Sequence, residues 1–171
     1  RLPMPFSALG LAPSLAHAAA SQGLIAPTPV QSQAIPAILN GHDLRACAPT
    51  GSGKTAAYVL PLLQQWLLSD AAQSQGSRST QALVLVPTRE LAAQVAELIY
   101  HVGEAMGRRP KVAVLTGGVS INPQLMALRG GADMVIATPG RLLDVVAHSQ
   151  LKLHTIDTLV MDEADRLLDL G

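Results

Sequence analysis

Aromatic side chains are nearly absent from this sequence. One Phe, two Tyr and one Trp occur among 171 residues, too few for the stacking platform on which single-strand nucleic-acid binders lay successive bases. Cysteine is rarer still. Cys47 stands alone, so no internal disulfide can form, and a reducing, cytoplasmic setting is the expectation. An excess of either charge is missing too: twelve Lys plus Arg balance twelve Asp plus Glu. That excludes a strongly basic wrapper of nucleic acid and leaves a local basic patch open. No apolar run approaches the ~20 residues of a membrane span, so no membrane partner is expected. The first residues also lack the charged-then-apolar order of a secretory leader.

What is present is apolar. Hydrophobic residues make up 49% and charged residues 14%, which excludes a disordered tail or a highly charged coiled coil and suits one ordinary core. The five histidines, His17, His42, His101, His148 and His154, show no metal-ligand spacing. Cys47 is expected to be packed and Trp66 to support the core. The chain begins with Arg1 and ends at Leu170-Gly171, just after a helix start, and reads as a fragment.

Strand-like and helix-like stretches alternate. Short β-like runs predict strands at Leu44–Ala48, Ala82–Val86, Val112–Leu115, Met134–Ala137 and Thr158–Met161. Runs that are almost wholly apolar suit a parallel sheet covered on both faces. Between them, Leu91, Val95, Leu98, Ile99 and Val102 recur at helical spacing within 89–106. Lys54–Leu68 gathers Leu60, Leu63 and Leu67, with Pro61 as an expected kink. The alternation predicts an α/β doubly wound domain. Asp70–Gln81 is polar and rich in breakers and reads as a surface loop, and the first forty residues read as a helical preface with Gly23 and Gly41 as stops.

The segment Ala48-Pro-Thr-Gly-Ser-Gly-Lys-Thr55 follows one such strand and opens a helix. It fits the phosphate-binding loop except at its first position, where Ala48 stands for Gly. Gly51 and Gly53 let backbone N–H groups surround phosphate oxygens. Lys54 would reach the β- and γ-phosphates, and the Thr55 hydroxyl would ligate Mg²⁺. A dinucleotide-binding reading of the same glycines needs an acid at the end of the next strand, which ends Leu85-Val86-Pro87-Thr88 instead. Thr158-Leu-Val-Met-Asp162-Glu163 is an apolar strand ending in two carboxylates. Beside a phosphate loop, Asp162 would serve Mg²⁺ through water and Glu163 would deprotonate an attacking water. Alone, the pair could equally be an acidic helix start.

Lys54, Arg89 and Arg141 each fall in the first turn of a predicted helix, where a cation opposes the dipole at a cost of ~0.3–1 kcal/mol. Three such placements after strands suggest anions at the carboxyl edge of the sheet. Thr88 and Thr138, each next to a proline, also read simply as helix caps. Thr28-Pro-Val-Gln31 is a capping box by pattern. The Gln31 amide could instead read adenine, pairing one donor and one acceptor with N6 and N7, where guanine offers two acceptors.

Taken in order, these segments resemble one family. The phosphate loop, Pro87-Thr-Arg-Glu-Leu-Ala92, Gly117-Gly118, Thr138-Pro-Gly-Arg141 and Asp162-Glu-Ala-Asp165 are similar to the motifs of the DEAD-box ATP-dependent RNA helicases. Gly23–Gln31 resembles their adenine-sensing segment, with Phe6 as the isolated aromatic upstream. Leu24 departs from a usual aromatic, Val30 replaces a common Ile, and Ala48 is ordinary for the family. The resemblance implies the amino-terminal RecA-like domain, a mostly parallel sheet with helices on both faces, truncated after the DEAD motif and lacking the strand that follows it. Residues 1–41 would be the adenine-sensing preface and 42–171 an incomplete ATP-binding domain, with the second RecA-like domain absent. Such a chain is expected to be marginally stable alone and inactive in unwinding.

Roles follow by position. Phe6 and Gln31 would hold and read adenine, and Thr50, Gly51, Ser52, Gly53, Lys54 and Thr55 would bind the phosphates and Mg²⁺. Lys54, Asp162 and Glu163 would be catalytic. Thr88, Arg89, Gly118, Thr138, Pro139, Gly140 and Arg141 would touch the RNA backbone with little sequence preference, and Ala164 and Asp165 would couple the ATP site to the rest. The implied cofactors are ATP and Mg²⁺, and the implied partners are RNA and the second RecA-like domain. Two rival readings are a DNA-directed helicase of a related class and a catalytically inert nucleotide-binding fragment.

Overall fold

The helix starts and stops written into the first forty residues are obeyed in the computed structural model, which describes residues 5–69, 78–148 and 151–169. The chain divides into two units, one of Arg1–Leu68 with Leu98–Arg109 and one of Ser69–Glu97 with Pro110–Gly171. Most of the expected surface loop at Asp70–Gln81 lies outside the described residues.

In the first unit a single 3-10 turn, Phe6–Leu9, precedes α1 (Pro13–Ser21), α2 (Pro29–Leu39) and α3 (Lys54–Leu68). Both α1 and α2 begin on proline, whose missing N–H is not needed in the first turn. Gly23 closes α1 at φ 81°, and its N–H donates to Ala20 while Leu24 N–H reaches back to Ala19. Gly41 does the same for α2 at φ 75°. This is the left-handed helix stop that only glycine adopts without strain. α3 runs on through Pro61 as one element. Leu15, Ile35, Val59, Leu60 and Leu63 are fully buried and form this unit's core, with Trp66 buried beside them. The Arg108 guanidinium lies 5.8 Å from the Trp66 ring centroid, within range of a cation–π contact. Ala12 cannot cap α1 with its own side chain, and the buried Gln64 of α3 accepts its N–H at 2.8 Å instead.

The second unit is built on β1 (Ala82–Leu85), β2 (Val112–Leu115), β3 (Met134–Ala137) and β4 (Thr158–Met161). They form an all-parallel sheet in the order β2-β3-β1-β4. Three of these strands have the bounds the sequence predicts, and β1 is one residue shorter. The helices interleaved with them are α4 (Arg89–Ala105), whose residues from Leu98 onward are counted in the first unit, α5 (Asn122–Ala127), α6 (Pro139–Ala147) and α7 (Ala164–Leu168). Along α4 the stripe Ala92, Val95, Ile99 and Val102 is buried, as its spacing predicts. β3 is buried at every position, and Leu83, Leu115, Leu128, Val135 and Val145 pack in one cluster around it.

One predicted strand is missing. Leu44–Ala48 has no strand assignment, and Leu44 is 46% exposed. A strand exists by virtue of its ladder partners, and among the described residues none pairs with this segment. Cys47 is accordingly exposed rather than packed, which corrects the sequence expectation. Among the described strands β4 pairs with β1 alone, and Leu159 and Met161 are more than half exposed.

At the amino-terminal edge the register is held by one buried acid that the sequence reading did not single out. Asp133, directly before β3, is fully buried. Its Oδ2 accepts from Lys111 N–H, before β2, at 2.6 Å and from the Arg78 guanidinium, before β1, at 2.5 Å. Three strand entries thus meet on one carboxylate. Removing one member of a buried ion pair leaves the other uncompensated and costs about 3–5 kcal/mol. Because Arg78 is part-exposed and can turn to water, Asp133→Ala is expected to cost about 3 kcal/mol, the low end of that range. Asp133→Asn, which keeps one acceptor, should cost less. Denaturant titration of both variants measures the difference, and equal stabilities of wild type and Asp133→Ala would remove this role.

Candidate functional site

The glycine-rich loop at 48–55 is shaped by its two glycines, Gly51 at φ 79° and Gly53 at φ 89°. α3 starts immediately afterwards at Lys54, so the loop's amides lie at a helix amino terminus, where anions are favoured. The Lys54 ammonium is turned back on the loop and donates to the carbonyls of Pro49, at 2.9 Å, and Ala48. Ser52 Oγ is buried with no hydrogen-bond partner among the described residues. Thr50 and Gly51 are exposed and Thr55 is part-buried. A cavity of about 520 Å³ lies between this loop and the start of α2, lined by Thr28, Pro29, Val30, Cys47, Pro49 and Ser52.

Gln31 joins the helix start to the loop. The capping box forms: Thr28 Oγ1 accepts Gln31 N–H, and Gln31 Oε1 accepts Thr28 N–H at 2.9 Å. The other end of the same amide, Nε2, donates to the Gly53 carbonyl at 3.0 Å. The side chain is 1% exposed. A Cβ on residue 53 would collide with Gln31 Nε2, so glycine is required there for close approach as well as for φ. Phe6 is also buried, at 3% exposure, in the 3-10 turn of this unit.

In the second unit the strands end level. Leu85 lies opposite both Ala137 and Met161, and Ala137 lies opposite Leu115. The segments carrying Thr88 and Arg89, Gly117 and Gly118, Thr138 to Arg141, and Asp162 with Glu163 therefore leave the sheet at one edge. Thr88 caps α4 by accepting Leu91 N–H at 3.2 Å, whereas the Thr138 side chain makes no cap bond to α6. The Arg141 side chain is only 10% exposed. Its Nη2 donates to the Val119 carbonyl at 2.8 Å and its Nε lies 3.6 Å from Asp144, while Nε and Nη1 are buried with no hydrogen-bond partner among the described residues. The Arg89 guanidinium lies beside Gly118, 3.4 Å from where a Cβ would stand. Gln124, which no sequence pattern marked, holds both backbone groups of Thr116.

At the end of β4, Asp162 is buried at 8% exposure, and its N–H donates to Leu85. Its Oδ1 accepts Glu163 N–H at 2.9 Å. Glu163 is the one non-glycine residue with positive φ among the described residues, at φ 49°, ψ 51°. Such a conformation costs ~1–3 kcal/mol and recurs at functional positions. Its carboxylate pairs with Arg166 at 2.9 Å. Ala164 and Asp165 open α7 and are exposed. All five histidines are exposed, and among the described residues no three His, Cys, Asp or Glu gather as a metal cluster.

Residues 28–171 match the family model described as DEAD/DEAH box helicase. Over 168 residues the chain is 42% identical to the DEAD-box ATP-dependent RNA helicase CshA of Streptococcus pneumoniae, covering 98% of this chain and 30% of that protein. It is 47% identical over 171 residues to the ATP-dependent rRNA helicase rrp3 of Aspergillus terreus, covering 98% of this chain and 36% of that one. The chain thus spans about a third of the length of these curated relatives. Among solved structures, a DEAD box protein from the hyperthermophile Methanococcus jannaschii matches with a TM-score of 0.86 at 36% identity, over 98% of this chain and 44% of that one. The yeast DEAD-box splicing factor Prp28 matches with a TM-score of 0.80 at 32% identity, over 94% and 38%.

The Gln31 amide makes two of its bonds in a buried place, so Gln31→Ala should destabilise the first unit by about 1–2 kcal/mol. Gln31→Glu should also destabilise it, since a carboxylate keeps the bond to Thr28 but faces the Gly53 carbonyl with a second acceptor. Chemical denaturation followed by circular dichroism tests both, and a Gln31→Glu variant as stable as wild type would contradict the Gly53 contact.

Proposed function

The chain belongs to the DEAD/DEAH box helicase family, and on that footing we propose that it is the first motor domain of an ATP-dependent RNA helicase. It would bind ATP·Mg²⁺ and the RNA sugar–phosphate backbone and contribute to ATP hydrolysis coupled to local duplex unwinding. The observation that carries this reading is the level ending of the four strands, which delivers every motif-bearing segment of the second unit to one sheet edge. The relatives named for ATP-dependent RNA helicase activity are about three times as long. Unwinding would therefore belong to the whole protein, with a second RecA-like domain as partner and the cytoplasm as its setting.

On the ATP side, the amides of Thr50, Gly51, Ser52 and Gly53 would cradle phosphate oxygens. The unpartnered Ser52 hydroxyl fits an anion, and Lys54 would exchange its two carbonyls for the β- and γ-phosphates. Thr55 and Asp162, the latter through water, offer the oxygen donors that suit Mg²⁺, which when bound would neutralise phosphate charge. Glu163 would take the proton of the attacking water. Phe6 would support the adenine site from the core. Gln31 would discriminate adenine from guanine by its paired donor and acceptor. Ala164 and Asp165, at the start of α7, would relay the state of this site.

On the RNA side, Arg141 supplies the clearest chemistry. Buried N–H donors without a hydrogen-bond acceptor are costly. Among the described residues Nη1 has none and Nε has the Asp144 carboxylate only at 3.6 Å, and a phosphate beside them would supply acceptors. Thr88, Arg89, Gly118, Thr138, Pro139 and Gly140 would complete a backbone contact carrying little sequence information.

In the protein that carries this chain, Glu163→Gln is expected to lower RNA-stimulated ATP hydrolysis by about 10²-fold or more while leaving Mg²⁺·ADP binding intact. Lys54→Ala should lose both, and ADP should bind in preference to GDP. Steady-state ATPase assays and calorimetry measure these outcomes. Undiminished hydrolysis by Glu163→Gln would remove its assignment as the base, and equal affinity for ADP and GDP would remove the adenine-reading role.

A further inference from the structure

We propose that Gln124 is a positioning residue for RNA, its amide holding the 117–120 loop in the shape in which Arg141 can receive a phosphate; this rests on the RNA reading of that edge. Among the described residues β2 is an outer strand of the sheet, paired by β3 alone. The residue after it, Thr116, is buried at 5% exposure, so its backbone groups need partners that an edge strand does not supply. Gln124 supplies both. Its Oε1 accepts Thr116 N–H at 3.2 Å and its Nε2 donates to the Thr116 carbonyl at 2.9 Å. The pair takes the place of one rung of a neighbouring strand and pins the loop at its base.

The loop turns at Gly118, at φ 77°, and carries the half-exposed Val119. The Val119 carbonyl is the acceptor that fixes Arg141 Nη2 at 2.8 Å. Gln124, the loop and Arg141 therefore form one chain of contacts that ends at Nε and Nη1, which have no hydrogen-bond partner among the described residues, Nε having the Asp144 carboxylate at 3.6 Å. If the base of the loop is released, the Val119 carbonyl drifts and the guanidinium loses its one close hydrogen-bonded acceptor. Only glutamine fits the base. Asn is one methylene too short, Glu lacks the donor, and Leu matches the shape with neither group.

The test measures anisotropy of a fluorescein-labelled oligouridylate on the protein carrying this chain, with binding of a fluorescent ADP analogue as a parallel readout. Gln124→Leu is expected to bind RNA about tenfold or more weakly, the effect of losing one hydrogen bond to a charged group, with ADP affinity unchanged. The slope of log K against log salt should fall by about 0.7, the value for one single-strand phosphate contact. A merely structural role would not move that slope. Gln124→Glu should lie between Gln124→Leu and wild type. Arg141→Ala should lose RNA binding as Gln124→Leu does. Full RNA affinity in Gln124→Leu alongside a loss in Arg141→Ala overturns the role of Gln124 and spares the RNA reading. Full affinity in Arg141→Ala overturns the RNA reading of this edge, and the proposal with it. A parallel loss of RNA and ADP binding in both Gln124 variants also overturns the proposal, since the effect would then be general unfolding.

Discussion

Everything in the second unit depends on the register of four strands that are only four residues long. A one-residue slip in a strand would turn each of its side chains to the opposite face. Such short ladders leave little margin, and the register is fixed at both ends. At the entry, Asp133 gathers the segments leading into β1, β2 and β3 on one carboxylate. At the exit, three backbone bonds continue the ladder past the strands: Val86 to Ala137, Thr138 to Leu115 and Asp162 to Leu85. The last of these holds the first acid of the candidate catalytic pair directly to the sheet. The placement of Asp162 is thus a property of backbone pairing, whatever its side chain does.

The first unit works by a different rule, in which binding groups are already satisfied before a ligand arrives. The Lys54 ammonium rests on the carbonyls of Ala48 and Pro49, and the Gln31 amide rests on Thr28 and Gly53. A buried amide left without partners would cost ~1–3 kcal/mol, and these contacts avoid that. A nucleotide bound at this loop would have to exchange contacts with it, and its affinity would be a difference between two bonded states. The Ser52 hydroxyl, buried and without a hydrogen-bond partner among the described residues, breaks the pattern and marks a direction in which exchange would be favourable.

Much of this was legible in the sequence, and the boundary of legibility has a physical cause. Val112–Leu115, Met134–Ala137 and Thr158–Met161 are apolar runs bounded by polar or breaker residues, and local composition sufficed to place them. Leu44–Ala48 is also mostly apolar, Arg45 apart, and has no strand partner among the described residues, because pairing depends on a partner remote in sequence. Motifs written as contiguous residues were equally readable: the loop at 48–55, the acids at 162–163 and the cap at 28–31. Gln124 and Asp133 were not. They act on backbone groups 8 and 22 residues away, and Asp133 also on a guanidinium 55 residues away. Backbone groups have no letter in a sequence, and no local pattern pairs residues so far apart. Glu163's left-handed conformation was hidden for a related reason. It follows from how β4 meets α7, and residue type alone would have argued against it.

The order of the sheet also suggests how an RNA contact could bear on hydrolysis. β1 lies between β3 and β4. The segment Thr138–Arg141 leaves β3, Thr88 and Arg89 follow β1, and Asp162 with Glu163 follow β4. The strand ends from which they leave are hydrogen-bonded in turn: Val86 N–H to Ala137 and Asp162 N–H to Leu85. A phosphate drawn to Arg141 would act on the end of β3, one strand removed from the strand that carries the acids. Packed ladders of this kind transmit displacement because they deform little. The coupling would then need no moving part inside this unit, only that the strand ends shift together. An RNA strand lying across the ends of β3 and β1 would bias the position of Asp162 and the strained backbone of Glu163, the two places where a small shift matters most to the chemistry.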